Sequence, residues 1–163
     1  MNELPEAQSI RNTDNNLLVS ASDDNLITVV SFVAEKLESV CCPPKKALQI
    51  ELAVEEVFVN IAHYAYKDSG DAANKTAEIT AEVTADTATF TFRDSGKAYN
   101  PLSKDDPDIT LSAEERKIGG LGIFMVKIIM DSVVYERENG QNVVKITKSI
   151  GGGRLSDGKA ETD

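Results

Sequence analysis

Apolar side chains recur at steps of three and four residues between positions 24 and 66, which is the period of an amphipathic helix. The period is broken once, at Cys41–Pro44, and proline is accepted in the first turn of a helix. The pattern therefore predicts two helices, from about Asp24 to Val40 and from Pro44 to about Tyr66. A short apolar run from Leu17 to Ser22 predicts a strand before them.

The second half of the chain alternates between apolar and polar side chains at every residue. The segments Thr76–Thr84 and Ala88–Arg93 predict a hairpin around Asp86-Thr87. Asn139-Gly140 favours a tight turn, which predicts a second hairpin. We expect its strands at Ser132–Arg137 and Asn142–Lys148, after a helix that runs from the glycines at 119–122 to about Met130.

These elements predict an α+β fold: a single-layer mixed, mostly antiparallel sheet of about five strands, covered on one face by three helices. Residues 1–150 of the 163 are expected to form one domain, because a single core usually holds about 100 to 200 residues. The charged segment Ser103–Lys117 has no periodicity and predicts a long mobile loop. The glycine-rich residues 151–163 predict a flexible tail.

Composition narrows the classes of partner. The 27 acidic and 17 basic residues give a net charge of −10, which opposes direct binding to nucleic acid or to an anionic membrane surface. No apolar stretch is long enough to span a membrane, and the first residues lack the pattern of a signal peptide. The adjacent Cys41 and Cys42 suit neither a structural disulfide nor a zinc site. We therefore expect a cytoplasmic protein whose partner is a protein or a small molecule.

The second predicted helix carries polar side chains beside its apolar stripe. Glu56, Asn60 and His63 fall within an arc of roughly 60° on an α-helix. A carboxylate and an amide at the border between core and solvent are suited to share a magnesium ion or a water. The alternative is an ordinary solvated helix edge, which the spacing alone does not exclude.

Two glycine-containing segments are candidates for ligand contacts. Asp94 follows an apolar strand, and Gly96 two residues later lets a ligand approach the backbone, so Asp94 is placed to accept a hydrogen bond from an amine. A plain Asp-x-Gly turn is the alternative. Gly119–Gly122 opens the third helix, where bare N–H groups and the positive end of the helix dipole suit phosphates. A simple helix boundary is the alternative there.

Taken in order, these three motifs resemble the N, G1 and G2 boxes of the GHKL family of ATPases and kinases, which share the Bergerat (histidine kinase-like ATPase) fold. The resemblance covers about residues 14–149. It is closest to the stand-alone anti-sigma-factor serine/threonine kinases. Two sequence motifs carry this closer match: Glu55-Glu56-Val-Phe-Val-Asn60-Ile-Ala-His-Tyr-Ala-Tyr66 and Asp94-Ser-Gly-Lys-Ala-Tyr99-Asn-Pro101.

The resemblance implies a role for each matching residue. Glu56 would be the general base for an attacking hydroxyl, Asn60 the magnesium ligand, and Asp94 the adenine contact, with Gly96 allowing close approach. The segment Ser103–Lys117 would form a lid, whose last two residues, Arg116 and Lys117, lie close enough to serve as phosphate ligands. The other nucleotide contacts would be His63, Tyr64, Tyr99, Gly119, Gly120, Leu121, Gly122, Ile123 and Phe124.

One position departs from the family pattern. Members of this branch often carry threonine after the glycine of the last hairpin, where its hydroxyl helps to hold adenine. Here Gly140 is followed by Gln141 and Asn142. The secondary contact that this threonine hydroxyl makes to adenine in the family is therefore missing from the pattern of this chain. The single His63 lies inside the N box, which argues against a histidine kinase.

The sequence thus predicts an ATP- and Mg²⁺-dependent partner-switching serine/threonine kinase. By resemblance, it would bind a sigma factor or a comparable regulator, phosphorylate a small antagonist protein, and form a homodimer. One alternative is a nucleotide-gated binding module without phosphotransfer. A second is one half of a switch linked to a phosphatase, because this branch is also found fused to such domains.

Overall fold

The computed structural model describes residues 11–67, 75–103 and 121–151. Three α-helices are formed: α1 (Leu26–Ser39), α2 (Pro44–Asn60) and α3 (Leu121–Ile129). Six strands are formed: β1 (Arg11–Asn12), β2 (Asn16–Ser20), β3 (Thr76–Val83), β4 (Thr87–Asp94), β5 (Ser132–Glu138) and β6 (Gln141–Ser149). The predicted lid beyond Ser103, together with Gly119, Gly120 and the tail from residue 152, lies outside the described residues.

The strands form one sheet in the order β1-β2-β3-β4-β6-β5, and every pairing among the described strands is antiparallel. This confirms the predicted α+β fold and its five strands, to which the two-residue β1 is added at one edge. Asn139 and Gly140 form the last turn with φ of 52° and 76°, as the sequence predicts for a tight hairpin. The resulting register places Asp94 opposite Asn142.

The core lies between the sheet and the helices. Helix α2 packs against both α1 and α3, and its inward face is fully apolar. The strands alternate between buried and partly exposed residues, so one face of the sheet receives the helices. The largest fully buried side chains are Phe58, Phe90, Phe92, Leu17, Leu37 and Ile50. None of the helices within the described residues has the length and hydropathy to cross a membrane.

Most of the predicted element boundaries shift by one or two residues in the structure, and three of the differences have an identifiable local cause. A 3-10 turn, Asp23–Asn25, precedes α1, and Ser22 caps it by accepting the N–H of Asp24 at 3.3 Å. Strand β4 begins at Thr87, one residue early, because the Thr84 hydroxyl accepts the N–H groups of Asp86 and Thr87 and closes the turn before them.

The third difference concerns the end of α2. The α-helix stops at Asn60, and residues Ile61–Ala65 form a π-helical turn, where the sequence predicts a continuous α-helix to Tyr66. A π-turn holds one more residue per ring than an α-turn. It carries the Ala65 carbonyl to the loop after β4, where it accepts the N–H of Lys97 at 2.8 Å.

Candidate nucleotide site

A cavity opens where the end of α2, the end of β4 and the start of β6 meet. It holds about 350 Å³ of empty space, part of which is open to solvent. Its apolar wall consists of Val57, Ile61, Ala65, Pro101, Ile123 and Val144. Its polar residues are Asn60, Asp94, Tyr99 and Asn142. Apolar walls with a few placed polar groups suit a flat heterocycle whose edge carries hydrogen-bonding groups.

Asp94 is the buried charge of this cavity, with 4% of its surface exposed. Its Oδ1 accepts two hydrogen bonds, from the N–H of Gly96 at 3.0 Å and from Nδ2 of Asn142 at 2.9 Å. No buried side-chain oxygen or nitrogen of the described residues lacks a partner. Oδ2 of Asp94, for which these residues supply no partner, therefore faces the open cavity. One oxygen is anchored and the other is available to a donor.

The environment of Asp94 also changes its titration. Burial raises the pKa of Asp94 above the ordinary 3.8, while hydrogen bonds from Asn142 and Gly96 and the charge of Arg137 act in the opposite direction. A buried carboxylate with one oxygen unpaired is costly in the empty protein. A ligand that donates a hydrogen bond to Oδ2 reduces that cost.

Asn142 is a site residue that the motifs did not identify. Its Nδ2 donates to Asp94 and to the carbonyl of Lys97 at 2.8 Å. Its Oδ1 accepts from the hydroxyl of Tyr135 at 2.6 Å and from the N–H of Tyr99 at 3.1 Å. All four hydrogen-bonding positions of the amide are used. The only signal in the sequence was that Gln141 and Asn142 follow Gly140 where the family often has threonine. The pairing of β4 with β6 explains the consequence, because it places Asn142 opposite Asp94.

Gly96 lies where the loop after β4 meets the end of α2. A Cβ atom at this position would overlap the carbonyl oxygen and the Cβ atom of Ala65. The Gly96 carbonyl accepts from the guanidinium of Arg137 at 3.0 Å. The hydroxyl of Tyr66 fixes the same loop, since it accepts the N–H of Ser95 at 2.9 Å. The glycine thus serves protein packing, in addition to the ligand approach that the sequence predicts.

Glu56 and Asn60 lie one helical turn apart on α2, and the cavity reaches this helix at Asn60 but not at Glu56. Asn60 lines the cavity, and the Glu56 side chain is half-buried against Gly122 in the first turn of α3. Within residues 11–67, 75–103 and 121–151, no hydrogen bond or ion pair holds the Glu56 carboxylate. Burial, and then the like charge of Glu55, raises the pKa of Glu56 above the ordinary 4.5. A carboxylate in this state accepts a proton more readily than an exposed glutamate.

The three aromatic candidates, His63, Tyr64 and Tyr99, do not all reach the cavity, and the first two lie in the π-turn. His63 does not stay beside Glu56 and Asn60, because the α-helical period ends at Asn60. Its Nε2 instead lies 2.8 Å from a carboxylate oxygen of Asp23, and both side chains are largely exposed. Tyr64 turns toward Tyr99, with ring centroids 6.3 Å apart. Tyr99 lines the cavity, whereas His63 and Tyr64 do not.

The start of α3 borders the same cavity. Ile123 lines it, Gly122 touches Glu56, and Phe124 is half-buried one residue further on. The helix begins at Leu121, while Gly119 and Gly120 lie outside the described residues. Among the described residues, no three His, Cys, Asp or Glu side chains form a metal cluster. Magnesium does not require one, because it is commonly held by one or two protein groups together with waters and substrate phosphates.

Comparison with known proteins identifies the class to which this fold and site belong. The chain matches the histidine kinase-like ATPase domain family over residues 19–148 and belongs to that family, which confirms the family predicted from the three motifs. It is similar to the serine-protein kinase RsbW of Listeria monocytogenes, with 30% identity over 107 residues that cover 62% of this chain and 64% of the relative. The chain thus spans slightly less than two thirds of that relative.

A second relative has a comparable name. The serine/threonine-protein kinase BtrW of Bordetella bronchiseptica is 26% identical over 98 residues, which cover 60% of this chain and 67% of the relative. Both relatives are named as kinases that act on hydroxyl side chains of proteins.

Proposed function

We propose that this chain is an ATP- and Mg²⁺-dependent serine/threonine protein kinase of the partner-switching type. The observation that carries the proposal is one carboxylate in the lining of the cavity, Asp94, and a second, Glu56, beside the cavity, between its lining residues Asn60 and Ile123. Asp94 presents one oxygen to the cavity between apolar walls, and Glu56 lies half-buried beside the start of α3. Asp94 in the cavity suits an adenine amine, and Glu56 beside the cavity suits the hydroxyl that attacks the terminal phosphate.

In the proposed reaction, Glu56 accepts the proton of a serine or threonine hydroxyl while that oxygen forms its bond to the γ-phosphorus. The bond from the γ-phosphorus to the bridging oxygen breaks, and ADP leaves. Asn60 offers a hard amide oxygen one turn after Glu56, which suits Mg²⁺. The metal would supply neutralisation of phosphate charge. The backbone at the start of α3 would contact the phosphates, in keeping with a helix N-terminus.

The proposed partners rest on the resemblance of the sequence motifs to the anti-sigma-factor kinases, and the kinase names of the two relatives are consistent with a protein substrate. We propose that the substrate is a small antagonist protein, and that the chain in its other state binds a sigma factor or a comparable regulator. A homodimer is part of the same proposal. Purification of the tagged chain from its own cells, with identification of the bound proteins, tests the partner. Sedimentation of the purified chain tests the dimer.

The experiment that tests the kinase compares wild type with Glu56→Gln. The purified chain is incubated with γ-labelled ATP, Mg²⁺ and the co-purified candidate substrate, and nucleotide affinity is measured separately by calorimetry. The glutamine keeps the size and helix propensity of glutamate. We expect phosphate transfer to fall by about 100- to 10,000-fold, the usual contribution of a general base, with ATP affinity changed only a few-fold.

Glu51→Gln is the matched control, since it removes the same charge from the same helix outside the site. It should transfer phosphate as wild type does. Equal transfer by wild type and Glu56→Gln removes Glu56 from the mechanism. If wild type binds ATP and a partner but transfers nothing, the chain is a nucleotide-gated binding module.

A further inference from the structure

Gly122 is in direct contact with the side chain of Glu56. A Cβ atom built on Gly122 would overlap Oε2 of Glu56 and would lie 3.1 Å from its Cδ and 3.7 Å from its Cγ. A Cβ atom within 3.0 Å of another heavy atom is not tolerated, so one of the two groups must move. The carboxylate can keep this position only if residue 122 has no side chain.

The backbone does not explain the glycine. Of the described glycines, Gly140 is the one with a positive φ, so Gly122 adopts a conformation open to any residue. Gly122 is the second residue of the nine-residue α3, and glycine is a poorer helix former than alanine. Helix stability favours alanine here, and the available space favours glycine.

We propose that Gly122 is a positioning residue for Glu56: the missing side chain leaves the space in which the carboxylate lies beside the first turn of α3. This inference rests on the proposed function, in which Glu56 accepts the proton. It gives Gly122 a task separate from the phosphate contact that the sequence motif implies. That contact uses the backbone N–H, which any residue but proline supplies, whereas the space depends on the absence of Cβ.

An alanine at this position should therefore be compatible with the fold. The overlapping atom is the end of a flexible side chain, so a rotation of Glu56 relieves the overlap without moving the backbone. The cost is a displaced proton acceptor. Misplacement of a reacting group by about 1 Å can lower a rate by about 100-fold.

The first test is a double-mutant cycle between Gly122→Ala and Glu56→Asp, with phosphate transfer measured in single turnovers. Aspartate is one methylene shorter, so its carboxylate oxygens reach about as far as Cδ of Glu56, where the added Cβ is tight but tolerated. We expect Gly122→Ala to slow transfer by about 100-fold beside Glu56 and by less than about 3-fold beside Asp at 56. ATP affinity should change only a few-fold.

The second test does not require phosphate transfer. The carboxyl carbon of Glu56 is followed by NMR during a pH titration of wild type, Gly122→Ala and the control Met125→Ala, which alters a partly exposed residue on the same helix. We expect the midpoint of Glu56 to move in Gly122→Ala, because the carboxylate leaves its half-buried position. The midpoint should not move in Met125→Ala.

The outcomes separate this inference from the proposed function. If wild type transfers no phosphate, the kinase proposal fails, and the Glu56 titration alone decides whether Gly122 positions the carboxylate. If transfer occurs and Gly122→Ala slows it by the same factor in both backgrounds, the positioning role is wrong. An unchanged Glu56 midpoint in Gly122→Ala overturns the inference in either case.

Discussion

The two ends of the candidate site, at Asp94 and at Glu56, hold their carboxylates in opposite ways. Asp94 is buried, and one of its oxygens is fixed by Asn142, whose amide bonds four separate groups. Glu56 is half-buried, and what defines its place within the described residues is contact with Gly122 and the packing of α2 against α3. The Asp94 carboxylate is held by a hydrogen-bond network, and the Glu56 carboxylate is held by packing against Gly122.

The difference matches the role proposed for each carboxylate. A group that recognises a fixed pattern of donors benefits from a fixed acceptor, because the protein has already met the cost of ordering it. A group that accepts a proton needs a free lone pair at that moment, and no hydrogen bond within the described residues occupies the Glu56 carboxylate. We therefore expect substitutions at the Asp94 end to change stability and nucleotide affinity, and substitutions at the Glu56 end to change the rate of transfer.

The largest expected effect is on stability, in Asn142→Asp. This change removes both donors of the amide and places a second carboxylate against the buried Asp94. Loss of a partner at a buried charge costs about 3 to 5 kcal/mol. We expect the free energy of unfolding, measured with urea at neutral pH, to fall by that amount. It should recover as pH falls, because a single proton shared between the two carboxyl groups restores a hydrogen bond.

Tyr135→Phe serves as the control, since it removes one hydrogen bond to Asn142 and leaves the bond to Asp94 intact. It should cost only about 1 kcal/mol. If Asn142→Asp is no less stable than Tyr135→Phe at neutral pH, the network does not hold Asp94 in the way described.

The next effect is on nucleotide affinity, in Asp94→Asn. The Oδ1 of the new amide can still accept from Gly96 and Asn142, so the fold is retained, but a donor replaces the oxygen that faces the cavity. Loss of a charge-assisted hydrogen bond is worth about 1.5 to 3 kcal/mol, or roughly 10- to 150-fold in ATP affinity. Calorimetry with ATP and with inosine triphosphate, whose ring carries an oxygen in place of the amine, measures both affinities.

The ratio of the two affinities is the sharper measurement. The variant should lose affinity for ATP and gain relative affinity for inosine triphosphate. An unchanged ratio would mean that Oδ2 of Asp94 does not contact the purine edge.

Asp94→Asn should also change how the free energy of unfolding depends on pH. The raised pKa of Asp94 means that the folded state binds its proton more tightly than the unfolded state. In wild type without nucleotide, this residue makes stability fall as pH rises from about 3.8 through the raised value. Asp94→Asn should lack that contribution, which denaturation across this pH range would show.

The smallest effect is expected from Glu55→Gln, which tests the electrostatics of the Glu56 end. Glu56 must be ionised to accept a proton, so transfer should rise with pH through its pKa. The charge of Glu55 helps to raise that pKa, and its removal should move the rising limb to lower pH. Single-turnover rates measured against pH test this. Glu82→Gln, which removes the same charge from β3, should leave the limb in place.

The fold was largely predictable because its periodic patterns are long. The apolar stripe of α2 and the alternation in β3 and β4 each reflect a buried face, and burial determines both the element and its orientation. The turn at Asn139-Gly140 was predictable for a different reason, since few residue pairs accept positive φ. The end of α2 was not predictable, because a π-turn depends on a partner from the loop after β4.

The site was predictable where a motif lies on one element and less so where it spans several. Glu56 and Asn60 keep their spacing because both lie in α2. His63 lies beyond Asn60, and its pairing with Asp23 depends on how the start of α1 approaches the π-turn. Asn142 depends on the register of two strands about 50 residues apart in the sequence, which no local pattern records.

The π-turn also makes the length of the chain critical at this point. A π-turn holds one more residue per ring than an α-turn, so deleting one residue between Asn60 and Ala65 leaves the chain length of a continuous α-helix. The segment could then no longer form the π-turn that brings the Ala65 carbonyl to Lys97 and Gly96. Relatives that differ here by a single insertion or deletion would keep the identity of every motif residue while changing how the end of α2 meets the loop after β4. At this point of the sequence, a gap in an alignment carries more information than a substitution.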